Sequence, residues 1–179
     1  MTWTSFHRRG DVLRDVIATA DLRRDGALPR DVDGVPATFA DDLDLLAALQ
    51  LKWHTRLAGR IEREQMTQPM DLRDSVVRAW HQTAAELPGI RAVLDEQRLR
   101  PADDATAEIM RKSAAKEHVL LAVMAGEASA HDALAAGVGA RIEAEAKATA
   151  PSYDPLHDLG DDDPERPTLL GRLKAALAA

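Results

Sequence analysis

The chain has 179 residues, 45% of them hydrophobic and 30% charged, which is the size and balance of one globular domain. Its net charge of −7 argues against general nucleic-acid binding, and its lack of cysteine removes disulfides, thiolate metal sites and cysteine nucleophiles together. No apolar run reaches the length of about 18 residues needed to span a bilayer, and the charges within MTWTSFHRRGDVL break up any signal segment. The expectation is a cytoplasmic protein without membrane association.

The predicted elements form an all-α, up-and-down bundle of about five to six helices over residues 1–150. A first helix over residues 5–25 carries Phe6, Leu13, Val16, Ile17 and Ala20 on one face and arginines on the other. Asp25-Gly26 and Pro29 stop it, and PRDVDGVP reads as a loop with room for a short extended segment. Residues 38–66 then repeat apolar positions at three-and-four spacing, from Phe39 and Leu43 through Leu46, Leu49 and Trp53 to Leu57 and Ile61. This predicts one long central helix with Thr38 as its cap and Asp41, Asp42 and Asp44 at the positive end of its dipole. Asp71 and Asp74 open the next helix, which joins the central one as an antiparallel hairpin through Val76, Trp80, Ala84 and Leu87. Pro88-Gly89 bends the chain without dividing it into domains.

Asp103 or Asp104 begins a helix carrying Ile109, Met110, Ala114, Leu121 and Met124, with Glu108 and Lys112 paired on its wet side. Its last turns, VLLAVMA at 119–125, are apolar all round, so they must be surrounded by other elements or by a second subunit. Leu121 and Met124 are therefore candidate self-association residues, and a homo-oligomer is expected. A last bundle helix, capped by Ser129 and Asp132, places Leu134, Val138 and Ile142 inward and Glu143 to Lys147 outward. Gly137 and Gly139 weaken it, so packing must hold it in place.

Residues 151–167 form an acidic, proline-rich linker, and residues 168–179 a short amphipathic helix with Leu169, Leu170, Leu173 and Leu177 on one side. That leucine face can dock on the chain's own bundle, a second copy or a protein partner. A helical body, a linker and a short Leu-Gly-containing terminal peptide together make a plan similar to that of cargo proteins of encapsulin shells. The likeness covers about the last dozen residues.

The chemistry-bearing residues are few. Ferritin-like di-metal sites in bundles use Glu-x-x-His pairs on inward faces, and no histidine of residues 1–150 has a carboxylate three positions before it. A non-standard iron or zinc site would draw on His54, His81, Glu117 and His118, with His54 and His81 near each other along the hairpin seam. Glu117 is the most informative of them, because it shares the inward stripe of Met110, Ala114 and Leu121 and must be paired if buried. Asp161-Asp162-Asp163 lacks the spaced ligands and glycine turn of an EF-hand loop. With no nucleophile elbow, phosphate-binding glycine loop or zinc-protease motif in view, the leading expectation is a helical protein that acts through protein–protein contacts or self-association and uses no cofactor. The alternative is a ferritin-like metal-binding protein or oxidoreductase.

Overall fold

The computed structural model describes residues 3–150, with side chains from Arg8 onward. The acidic linker 151–167 and the leucine segment 168–179 lie outside the described residues, as do the side chains of Phe6 and His7. Among the described residues there are seven helices and no strand: α1 (Trp3–Arg23), α2 (Val35–Thr38), α3 (Asp42–Thr67), α4 (Leu72–Glu86), α5 (Pro88–Leu99), α6 (Asp104–Met124) and α7 (Ala135–Ala148). The all-α bundle is what the periodicity predicted. None of these helices is long and apolar enough to cross a membrane.

α3 is the central strut, and most of its predicted stripe is its buried face: Leu46, Leu49, Trp53, Leu57 and Ile61 are all at most 3% exposed, whereas Leu43 is half-buried and Leu45 takes the buried place at 1%. Its cap falls three residues later than predicted. Thr38 closes the one-turn helix α2, where the left-handed Gly34 (φ 86°) turns the chain and Pro36 sits in the first turn, so the loop holds a helical turn and no extended segment. Asp41 is the cap instead, its carboxylate accepting from Asp44 N–H at 2.8 Å. Arg9 of α1 fastens this corner by donating to the Asp44 carboxylate at 2.7 Å and the Thr38 carbonyl at 3.1 Å.

α3 and α4 are antiparallel, as their cross-helix pairs record: Arg78 with Glu64, Gln82 with Arg60 and Glu64, and Glu86 with Arg56 and Arg60. Trp53 and Trp80 meet edge to face across the seam at 6.0 Å. The Pro88 bend is real, with Leu87 serving both as the end of α4 and the start of α5. Gly89 is fixed by packing, because a Cβ there would lie 2.2 Å from the Ala20 backbone carbon of α1.

α6 is capped by Asp103, which accepts from Thr106 N–H at 2.7 Å, and runs in the same direction as α3. Trp53 meets Glu117 low on the pair, and Gln65 donates to the Met124 carbonyl near its end. Its apolar last turns are surrounded by the chain itself: α6 packs against α3, α4, α5 and α7, and Leu121 is 0% exposed. Leu121 is thus a core residue with no surface to offer a second subunit, and Met124 is partly buried against the same core. Ile109, grouped with the inward residues by the sequence, is 39% exposed.

α7 starts at Ala135 because Asp132 is used in a turn, its carboxylate accepting from Leu134 N–H at 2.8 Å. Two of its predicted orientations reverse. Leu134 is 74% exposed, whereas Glu143 is only 6% exposed. The cause is the contact that positions the helix: Gly139 lies so close to α6 that a Cβ would come within 1.8 Å of the His118 carbonyl oxygen. Gly139, Ile142, Glu143 and Ala146, three and four apart, therefore face inward together.

Candidate functional site

Two features stand out from the rest of the bundle: a buried cluster of charges and an exposed apolar groove. The cluster forms where α3, α5, α6 and α7 converge. Glu117 has no exposed side-chain surface, and its two oxygens are both engaged, Oε1 by the Trp53 indole N–H at 3.0 Å and Oε2 by Arg98 at 2.6 Å. Arg98 bridges to Glu143 at 2.9 Å, and Glu143 in turn takes His118 Nε2 at 2.6 Å and Lys147 at 3.2 Å. Arg91 lies over the Trp53 ring, 4.7 Å from its centroid, and holds Asp95 through two bonds. Three carboxylates (Asp95, Glu117, Glu143) thus meet three full cations (Arg91, Arg98, Lys147), with His118 added.

That balance explains why ions tolerate the interior. Burial alone would raise the Glu143 carboxyl, but the His118 hydrogen bond and the charges of Arg98, Lys147 and Arg91 outweigh it and hold it well below the ordinary carboxylate range. Burial likewise opposes the charge on Arg98, and Glu117 and Glu143 more than restore it. Some polar atoms stay unpaired. Arg91 Nη1 sits 3.5 Å from Glu117 Oε1 without a hydrogen bond, and Arg98 Nε has none either. Glu117 has no accessible surface, and the cluster ties α3, α5, α6 and α7 together through charge-assisted hydrogen bonds.

Of the predicted metal candidates, Glu117 and His118 share this cluster but each is already engaged by another side chain, and His81 and His54 lie apart from it. Glu117 pairs with Arg98 and Trp53, His118 with Glu143, and His81 with the Ala146 carbonyl at 2.8 Å, while His54 lies on the other side of the hairpin seam in a surface groove. No group of three or more His, Asp or Glu among the described residues is arranged to hold a metal ion. The sequence reading found Glu117 and its need for a partner. It missed Arg91, Asp95 and Arg98, although their spacing of four and three puts them on one face of α5.

The groove runs between α3 and α6, with a volume of about 400 Å³. Leu46 and Met110, both buried, form its floor; Ala47, Leu51 and Ile109 form its apolar walls. Leu51 is 67% exposed although it is central to the longest helix. It also borders a second groove of about 460 Å³, between α1 and α3, lined by Leu13, Ala48 and Lys52. The rims are basic: of the four lysines in the described residues, Lys52, Lys112 and Lys116 line these two grooves, and only Lys147 lies elsewhere. Lys112 pairs with Glu108 at 3.1 Å, as the sequence predicted.

Compared with protein families, with curated proteins and with solved structures, the chain matches none.

Proposed function

We propose that this protein works through protein–protein contact, receiving a short amphipathic helix in the groove between α3 and α6. The observation that carries this reading is Leu51 and Ile109, two large apolar side chains left in water on facing helices while the stripes beside them are buried. An apolar groove between two helices is the shape that takes the apolar face of a third, and polar rims set its orientation. Leu121, buried in the chain's own core, leaves the groove and not the end of α6 as the surface for association.

The absence of cysteine makes a clean test available. A photocrosslinker attached through Ser113→Cys, at the groove, is compared in native cell extract with one attached through Arg141→Cys on the exposed side of α7. The expected result is a defined crosslinked peptide, within the chain or between chains, found only from position 113 and lost with Leu51→Asp. Identical crosslinks from both positions would refute the groove as a contact site.

A further inference from the structure

We infer that the occupant of the α3–α6 groove is the chain's own segment 168–179, docked in cis through Leu169, Leu170, Leu173 and Leu177. This rests on the groove being a contact surface and adds what fills it.

Three observations support the assignment. The first is shape. On a helix the four leucines fall within an arc of about 100°, and from Leu169 to Leu177 they extend about 12 Å. The groove matches that length, since Leu46 and His54, its limits on α3, are also eight residues apart.

The second is charge. In a chain of net charge −7, Lys112 and Lys116 line this groove and Lys52 the one beside it, and Lys52 and Lys116 have no ion pair among the described residues. The linker leading to the leucine segment carries Asp154, Asp158, Asp161, Asp162, Asp163 and Glu165 against the single Arg166. The segment itself carries Arg172 and Lys174, so the attraction lies between the acidic linker and the basic rims, and salt should weaken it.

The third is reach. α3, the longest helix, is about 39 Å long. At about 3.1 Å per residue, the rise of a proline-rich linker, the 17 residues from 151 to 167 span up to about 53 Å, more than the length of α3, so the segment can reach the groove. Tethering at that distance supplies an effective concentration of about 1 mM. A segment binding with an intrinsic Kd of about 0.1 mM would then cover the groove about ten times more often than not.

Full-length Ser113→Cys, whose thiol is the only one in the protein, reports the occupancy. Its rate of reaction with a negatively charged disulfide reagent is expected to rise about tenfold when Leu173→Asp is added, with the tryptophan emission of the folded body retained and the melting temperature lowered slightly as the docked segment's stabilisation is lost. Lys112→Glu with Lys116→Glu, or high salt, should give a smaller rise when the rates are corrected for the change in reagent attraction measured in the Leu173→Asp background. Ile109→Asp, at a residue already exposed, should release the amides of residues 169–177 to hydrogen exchange. Equal thiol rates with and without Leu173→Asp would overturn the inference. So would protection that disappears on dilution together with a dimer mass, which would assign the groove to a second copy. A crosslink from position 113 to a different protein would overturn the cis occupant but leave the contact reading standing, whereas featureless crosslinking would remove both.

Discussion

Replacing Glu117 with Gln tests the charge cluster most directly. The change is nearly isosteric and keeps an oxygen for the Trp53 indole, so what it removes is charge. Arg98 and Arg91 then face Glu143 and Asp95 without the carboxylate now 2.6 Å from Arg98 and 3.5 Å from Arg91. The cluster passes from three carboxylates against three full cations to two against three, a net charge of +1 in a region where Glu117 is fully buried and Arg91 is 7% exposed. Removing one partner of a buried pair typically costs about 3–5 kcal/mol, against a total stability of about 5–15 kcal/mol for a domain. Urea unfolding followed by tryptophan emission should therefore show a midpoint lowered by about a fifth or more, with the slope unchanged. Adding Arg98→Met should recover part of the loss by removing the excess cation, although Glu143 then gives up one of its partners. A loss under about 1 kcal/mol for Glu117→Gln, the range of a surface pair, would refute the claim that this ion cluster holds the four helices together.

Two further expectations follow from the same region. Gly137 and Gly139 sit two apart in α7, yet a Cβ at 137 meets nothing within 4 Å, while one at 139 would collide with the α6 backbone. Gly137→Ala should stabilise the protein by about 0.5–1 kcal/mol through helix propensity, and Gly139→Ala should destabilise it by about 2 kcal/mol or more; comparing their urea midpoints checks both signs. Glu143, held below its ordinary value of 4.5 by His118, Arg98, Lys147 and Arg91, binds its proton more weakly in the folded state than in the unfolded state. Its contribution is therefore complete above pH 4.5 and is lost as the pH falls below that value. Glu143→Gln should be less stable at neutral pH and should lose less on acidification from pH 5 to about pH 2, read from midpoints across that range.

Local chemistry, acting between residues close in the chain, wrote the helices into the sequence. The three-and-four spacing of α3, the aspartate caps at Asp71 and Asp103, the Pro88 bend and the Glu108–Lys112 pair all depend on neighbours within a few residues, and each is found where the sequence placed it. Glu117 also announced itself, because a carboxylate on an apolar stripe must find a partner. Which partner was a matter of tertiary structure. Arg91 and Arg98 lie 26 and 19 residues before Glu117 and Glu143 lies 26 after it, on helices whose rotation no local rule sets. The close contact of Gly139 with the His118 backbone is what turned Glu143 inward and Leu134 outward. The same placement of α7, with α3, α4 and α5, enclosed Leu121 within the chain. Periodicity identifies a helix's apolar face but not what covers it, and only the assembled bundle left Leu51 and Ile109 uncovered on either side of a groove.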